Sequence, residues 1–399
     1  MYSTPLQEAL AALPPLSDEE RDRLLSDPGM SALGRVFASL PDPRGRLGRR
    51  YSLPFLLTCL VAALLCNCNS TLAVEQWCQG QQALLRRVFG TVRHLTPSGA
   101  LYRRLLPRLS AVHLEWALAG WVRATRPTPD TEPLALDGKS VCGAGGATEA
   151  APHLLTLYTH TTQEALLQVL VSSKTNEIPV AQAVVPLFAL AGRICTADAL
   201  HTQTAFIAAV RAAGGHVVLT VKANQPTLVS DLATLFADPR TAIQTAETTD
   251  RQRGRREHRR LEVSSDLTAY LRVHSPWPDI AQVGRLTRTV QTPHGRTQEV
   301  VYLITTLAPD HACPRCLLRL VRHHWHIENG LHYVRDVTFG EDRSRLRTGH
   351  APQIMAALRN LALTLLHRTG AFAIAPARRR LSYHPDQALA LVAPVPPSP

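Results

Sequence analysis

Asp137 and Asp198 each lie at the end of a short apolar segment, a position from which they could take part in catalysis. LALD over 134–137 and GRICTAD over 192–198 both predict β-strands, and they finish in or beside Asp137 and Asp198. Side chains at the ends of neighbouring strands meet at one edge of a sheet, where active sites are commonly built. We therefore expect these two carboxylates to lie close together.

A third carboxylate, Glu328, lies in the segment HHWHIENGLHYVRDV over 323–337. Its apolar residues recur with the spacing typical of the buried face of an α-helix. Glu328, His332 and Arg335 form a second stripe about 100° away from that face. Glu328 is therefore predicted to lie at the edge of the buried face, where it can approach the end of the sheet.

Three converging carboxylates repel one another unless cations lie between them. Oxygen ligands of this kind suit Mg²⁺, and two ions about 4 Å apart can activate a nucleophile and stabilise a leaving oxygen in phosphodiester cleavage. The spacing alone also permits three unrelated, solvated carboxylates at strand ends, and that alternative stays open at this point.

The composition favours a globular protein with a polyanionic partner. The chain has 399 residues, 45% of them hydrophobic, and its 43 basic against 31 acidic residues give a net charge of +12. Lysine occurs only at 139, 174 and 222, so 40 of the basic residues are arginine, whose planar fork suits phosphate. Nucleic acid is the leading candidate.

Membrane insertion and export are not expected. The longest apolar run, over 53–66, is shorter than the roughly 20 residues of a spanning helix, so we interpret it as a buried core helix. The N-terminal segment is acidic and broken by prolines, which does not resemble an export signal, and we expect a cytosolic protein with reduced cysteines.

Changes of pattern along the chain predict the domain organisation. Helical periodicity with prolines dominates 1–124, and a Pro/Thr-rich linker follows over 125–133. Alternating strands and helices over 134–239 and 311–370 predict a mixed α/β core. Residues 240–310 contain several strand patterns and predict a β-rich insertion, and a disordered tail is predicted over 383–399.

Six ordered motifs together resemble one known family, the DDE transposases of bacterial insertion sequences, in their H-repeat-associated, ISAs-type branch. The residues 41–65 also resemble that family's N-terminal segment, so the resemblance covers nearly the whole chain. The motifs are LALDGKSVCGA (134–144), SSKTNEIP (172–179), TADALHTQ (196–203), VKANQPTL (221–228), GRREHR (254–259), and HHWHIENGLHYVRDVTFGED (323–342) followed by GHAPQIMAALRNLALTLL (349–366).

The resemblance implies an RNase H-like mixed-sheet catalytic core with a β-rich insertion, preceded by a helical N-terminal domain. It also implies that Asp137, Asp198 and Glu328 are the catalytic metal ligands, with two Mg²⁺ ions per site and Mn²⁺ as a substitute. The implied function is transposition, in which terminal inverted repeats are bound, cut by metal-dependent hydrolysis and joined to target DNA. Two alternatives remain, a nuclease of the same fold without strand transfer and an inactive, domesticated DNA-binding copy.

The implied partner is double-stranded DNA, both element ends and target, bound by a homodimer or larger synaptic oligomer at the bacterial nucleoid. Two positions depart from the family pattern, since His324 and Cys142 stand where relatives often have arginine. The alternative for Asn224 and Gln225 is a helix cap before Pro226. The residues predicted to contact DNA are Lys139, Lys174, Lys222, Asn224, Gln225, Arg255, Arg259, Arg322, His324, His332 and Arg335.

Weaker signals complete the sequence-based predictions. The Cys313–Cys316 pair with nearby histidines resembles a zinc site by composition but not by spacing. Trp277 is interpreted as a loop anchor, with base stacking as the alternative. Glu341 is the reserve candidate for the third metal ligand, and with Asp336 and Asp342 it is otherwise expected to be a supporting or solvated carboxylate.

Overall fold

The structure is a computed structural model in which most of the chain after residue 31 is described. The described residues are 32–90, 96–125, 131–145, 150–171, 177–188, 190–252, 254–274, 277, 279–371 and 373–393.

The N-terminal region is helical, as predicted. Its helices are α1 (Ala32–Ala38), α2 (Leu53–Leu65), α3 (Thr71–Gly80), α4 (Gln82–Phe89), α5 (Gly99–Leu105) and α6 (Ala111–Thr125). Helix α2 begins after Ser52, whose hydroxyl accepts a hydrogen bond from the amide of Phe55, and nearly all of its residues are buried. Arg46–Leu65 is long and apolar enough to cross a membrane, but 61% of it is buried inside the protein, as expected of a core helix.

A mixed sheet follows the N-terminal helices. Strands β1 (Leu134–Ser140), β2 (His153–Thr159) and β3 (Ala165–Val171) pair as antiparallel neighbours. Helix α7 (Glu177–Val184) leads to β4 (Ile194–Ala197), and α8 (Thr204–Ala212) leads to β5 (His216–Val221). Strands β1, β4 and β5 run parallel, because a helix returns the chain to the same end of the sheet before β5. The predicted α/β class is confirmed.

The β-rich segment over 240–310 extends this same sheet. After α9 (Pro226–Ala237) come β6 (Gln244–Gln252), β7 (Arg255–Ser264), α10 (Thr268–His274), β8 (Gln282–Thr292) and β9 (Gly295–Thr305). Strand β9 pairs with β5, so the described residues form a nine-stranded sheet of order β3-β2-β1-β4-β5-β9-β8-β7-β6. The insertion is therefore anchored to the core by backbone hydrogen bonds.

The remaining helices cover the sheet and join it to the N-terminal region. Helix α11 (Pro314–His326) continues into π-helical turns over Ile327–His332 and Val334–Thr338. Helix α12 (Ala351–Arg368) is buried along nearly its whole length, and α13 (Ile374–Tyr383) and α14 (Pro385–Ala390) close the described chain. The predicted disorder over 383–399 is wrong for α14, because its Ala388 and Leu389 are fully buried in the core.

A buried ionic cluster lies behind the π-helical turns. The Glu341 carboxylate accepts hydrogen bonds from Arg335 at 2.7 Å and from Arg359 at 3.0 Å, and all three side chains are at most 1% exposed. Arg335 also donates to Gln168 of β3 at 2.7 Å. Burial alone would raise the pKa of Glu341, but the two guanidinium groups lower it, so the carboxylate stays ionised.

We predict that Glu341→Gln destabilises the fold by about 3–5 kcal/mol, because Arg335 and Arg359 lose their shared counter-charge in a dry site. Urea unfolding measures the change. The control is Arg240→Ala, since Arg240 forms an ion pair with Asp238 at 2.8 Å but is 88% exposed. It should leave the stability nearly unchanged, because an exposed ion pair is screened by solvent. Equal effects of the two substitutions would show that the cluster does not stabilise the protein.

Candidate metal and nucleic-acid site

The parallel pairing of β1 with β4 sets the position of the two aspartates. Leu136 lies opposite Ala197 in that register, so the next residues along the two strands are Asp137 and Asp198. Asp137 is a half-buried residue of β1, whereas Asp198 follows β4 and is exposed. The sheet thus brings together the two carboxylates that the sequence placed at strand ends.

The turn after Asp198 is held by hydrogen bonds to its backbone. The Asp198 carboxylate accepts from the amide of Leu200 at 3.0 Å and so caps the short 3₁₀ turn Ala199–His201. Asn224 donates to the carbonyl of Ala199 at 2.6 Å, and Gln225 donates to that of Thr202 at 2.8 Å. These two amides therefore fix the turn beside Asp198. Neither side chain caps the following helix, so that alternative is wrong, and the DNA contacts of Asn224 and Gln225 stay a prediction.

The helical segment that carries Glu328 lies along β1. His332 contacts Asp137, and one turn later Asp336 contacts Lys139 at 2.6 Å. Asp137 and Lys139 are two residues apart in β1, so their side chains point to the same face of the sheet. Contacts at two successive positions fix both the height and the direction of the helix over the strand.

Asp137, Glu328 and His332 converge into one cluster. Their ligand atoms all lie within 4.8 Å of one another. Among the described residues, these three side chains form the group that could hold a metal ion. His332 Nδ1 is 3.4 Å from Asp137 Oδ2 and 3.1 Å from Glu328 Oε2. Burial would lower the pKa of His332, but its hydrogen bonds with Asp137 and Glu328 raise it above its usual value.

The Glu328 carboxylate is half exposed and points to this cluster. Its hydrogen bond with His332 lowers the pKa of Glu328, while partial burial opposes that change.

His324 lies near both aspartates. Burial lowers the pKa of His324, and the negative charges of Asp137 and Asp198 counteract part of that effect. One imidazole therefore lies within electrostatic range of both aspartates.

Several residues predicted to contact DNA have protein partners. The prediction is wrong for Arg335, which is fully buried against Glu341. His332 is 2% exposed and bonded to the carboxylates, and His324 Nδ1 contacts the Thr196 hydroxyl at 3.0 Å. Lys139 is held by Asp336, whereas Lys222 is exposed. Lys174 lies outside the described residues.

The predicted arginines of the β-rich segment and of α11 form ion pairs. Arg255 contacts Glu257 at 2.8 Å, and Arg259 contacts Asp250 at 2.6 Å. Arg322 of α11 contacts the same Asp250 at 2.8 Å. These contacts join α11 to β6 and reduce the positive charge that each arginine offers to a phosphate.

The weaker sequence signals have distinct outcomes. The expectation of a solvated Glu341 is wrong, because its side chain is fully buried between Arg335 and Arg359. Trp277 is 5% exposed and belongs to the core, which agrees with a loop anchor and excludes base stacking in this arrangement. The Sγ atoms of Cys313 and Cys316 are 3.1 Å apart at the start of α11.

Comparison with known proteins identifies the family. Residues 127–365, more than half of the chain, match the family described as "Transposase DDE domain", and residues 35–122 match "DDE_Tnp_1-associated". The chain belongs to the DDE transposase family. The resemblance inferred from the motifs is thereby confirmed, and the site lies within the matched domain.

Curated relatives carry transposase names. The transposase is 23% identical over 82% of its length to "Putative transposase YncI" of Escherichia coli O157:H7, covering 85% of that protein. It is 21% identical to "H repeat-associated putative transposase YhhI" of E. coli K12, over 82% of this chain and 88% of that one. Among solved structures, the piggyBac transposase synaptic complex with hairpin DNA matches 94% of this chain and 79% of the other, at 10% identity and a TM-score of 0.42.

The side chains at the sheet edge suit the divalent metal that this family implies. Asp137 and Glu328 offer hard oxygen ligands within 4.8 Å of each other, whereas Asp198, whose carboxylate caps the turn after β4, lies outside that group. His332 Nδ1 lies 3.4 Å from Asp137 Oδ2 and 3.1 Å from Glu328 Oε2, so the neutral imidazole adds a nitrogen ligand to these two oxygens. The residues present therefore fit a divalent cation.

Sequence reasoning overlooked a second cluster on the other face of β1. Glu177, within one of the quoted motifs, is bonded to His153 at 2.5 Å and to His201 at 3.3 Å. Gly138 is the signal that could have indicated it, because a Cβ at this position would lie 2.5 Å from the Glu177 carboxylate.

We predict that Asp137→Asn and Glu328→Gln each weaken Mn²⁺ binding at least ~10-fold, since each removes an anionic oxygen from the cluster. Titration calorimetry measures the affinity. Asp342→Asn is the control, because Asp342 is exposed and lies outside the cluster. A loss of the same size in the control would show that Mn²⁺ binds elsewhere.

Proposed function

We propose that this protein is a DNA transposase that binds terminal inverted repeats, cuts at their 3′ ends and joins those ends to target DNA. The convergence of Asp137, Glu328 and His332 beside Asp198 supports the proposal most directly. The action would take place in the bacterial cytoplasm, at the nucleoid, with double-stranded DNA as the partner of a homodimer or larger oligomer.

Asp137, Asp198 and Glu328 would hold the divalent ions, and hydrogen bonds with His332 would align Asp137 and Glu328. When bound, two Mg²⁺ or Mn²⁺ ions would activate the attacking water or 3′ hydroxyl and stabilise the leaving oxygen. Lys139 is held by Asp336 next to the site and would offset part of the negative charge that the carboxylates present to phosphate.

The tip of the β6–β7 hairpin offers a second contact to DNA. Arg251 and Arg256 lie directly opposite each other in the two strands and are both exposed. Like charges facing each other across a sheet destabilise it, and a phosphate between them removes that cost. Among the described residues, neither Arg251 nor Arg256 forms an ion pair, whereas Arg255 and Arg259 do.

Asp137→Asn, Asp198→Asn and Glu328→Gln should each slow cleavage of terminal-repeat DNA at least ~1000-fold, because the loss of a ligand costs several kcal/mol of transition-state stabilisation. DNA affinity should stay the same or increase, since each change removes a negative charge near phosphate. Labelled-end cleavage assays and gel shifts on the same preparations provide the measurements.

The matched control is Asp238→Asn, a partly exposed carboxylate that pairs with Arg240 outside the metal cluster and should cut normally. Near-normal cleavage by one of the three site variants would contradict the role of that residue. Pre-cut ends offered with a supercoiled plasmid decide between the enzyme classes, because a nuclease without strand transfer yields no joined product. A DNA-binding copy without chemistry would give no cut product with any variant or with the wild type.

The double variant Arg251→Ala/Arg256→Ala should flatten the slope of log affinity against log salt by about 0.9 for each phosphate that the protein no longer neutralises, so by up to about 1.8. Gel shifts at several salt concentrations measure it. Arg240→Ala is the control, because Arg240 is exposed but bonded to Asp238. An unchanged slope in the double variant would show that the hairpin tip does not bind phosphate.

A further inference from the structure

A network of four polar side chains lies behind the two aspartates. Neighbouring residues of a strand point to opposite faces, so Gly138 and Ser140 face away from the Glu328 helix when Asp137 faces it. His153 lies opposite Ser140 in the β1–β2 register and faces the same way. Helix α7 begins on this side with Glu177.

Hydrogen bonds connect the four side chains in series. The Ser140 hydroxyl contacts His153 Nδ1 at 2.9 Å, and His153 Nε2 contacts Glu177 Oε1 at 2.5 Å. The other Glu177 oxygen contacts His201 Nε2 at 3.3 Å. His201 ends the 3₁₀ turn that Asp198 begins, and it is 1% exposed. Glu177 therefore joins the end of β1 to the turn after β4.

The negative charge of Glu177 lies at the centre of the network and is stabilised by its two histidine partners. Burial would raise the pKa of Glu177, but the hydrogen bonds from His153 and His201 lower it to about 2. The carboxylate also leaves no space beside β1, since a Cβ on Gly138 would lie 2.5 Å from it. Glycine at this position allows the carboxylate to pack directly on the strand next to Asp137.

We propose that Ser140, His153, Glu177 and His201 are positioning residues that fix Asp137 and Asp198 at the separation needed to bind divalent ions. Each aspartate is connected to Glu177 through its own segment, Asp137 through β1 and Asp198 through the 3₁₀ turn. The inference rests on the metal-dependent function proposed above, but it concerns ion affinity and can be measured without DNA.

The experiment compares the full-length wild type with Glu177→Gln in Mn²⁺ titration calorimetry, and then in cleavage at increasing Mg²⁺ concentration. Loss of the central charge should weaken Mn²⁺ binding at least ~10-fold and raise the Mg²⁺ concentration for half-maximal cleavage, as outer-shell changes do at metal sites. DNA affinity should not change. The control is Glu164→Gln, which removes a carboxylate that is 1% exposed and pairs with Arg368 at 2.8 Å.

A second pair of variants keeps the test decisive if Glu177→Gln does not fold. His201→Phe retains the ring that packs near Phe206 but loses the donor to Glu177, whereas His201→Gln retains a donor. We expect the first to weaken Mn²⁺ binding like Glu177→Gln and the second to bind almost like the wild type. Recovery with glutamine would not follow from a purely structural role of the ring.

Equal Mn²⁺ affinities of Glu177→Gln, Glu164→Gln and wild type would overturn the inference, and so would equal losses in the two His201 variants. A wild type that binds Mn²⁺ but never cuts DNA would contradict the proposed function, while the calorimetric comparison would still decide on the positioning network. A wild type that binds no Mn²⁺ would overturn both.

Discussion

The parallel pairing of β1 with β4 is the constraint on which the site depends. Since Leu136 lies opposite Ala197, the two aspartates follow at the same level of the sheet, and a shift of one residue would turn one of them to the opposite face. Neither strand can shift easily, because buried apolar residues fill both faces beside them. The core thus holds two like charges close together, which is the costly part of the arrangement.

The helix that completes the site is fixed from two sides. Toward the sheet, His332 and Asp336 contact Asp137 and Lys139, two positions on one face of β1. On its other side, Arg335 is bonded to Glu341 and to Gln168 of β3 within the buried ionic cluster. Widened π-helical turns allow these side chains to point in different directions within one short segment, and such turns are frequent at functional sites. The exposed Glu328 is therefore carried on a rigid support.

Local patterns in the sequence were sufficient for the fold class and for the elements that bear the carboxylates. Strands β1 and β4 lie where the apolar segments that end at Asp137 and Asp198 predicted them, because apolar spacing reflects burial directly. The fate of Arg335 and Glu341 was not predictable in this way. A charged residue in a helix is normally expected to be exposed, and only the tertiary structure shows that these two charges neutralise each other in the core. The π-helical turns also break the α-helical stripe that grouped Arg335 with Glu328.

The distribution of paired charge explains how a basic protein can contain an acidic site. Near the carboxylates the cations already have partners, with Lys139 on Asp336 and Arg322 on Asp250. Exposed basic side chains lie farther out, at the hairpin tip with Arg251 and Arg256 and on α5 with Arg103 and Arg104. A long polyanion can gain affinity from such peripheral groups through counterion release while its backbone approaches the carboxylates. Under the proposed function, DNA binding and chemistry would be supplied by different parts of the surface, so the carboxylates would keep their full negative charge for metal ions.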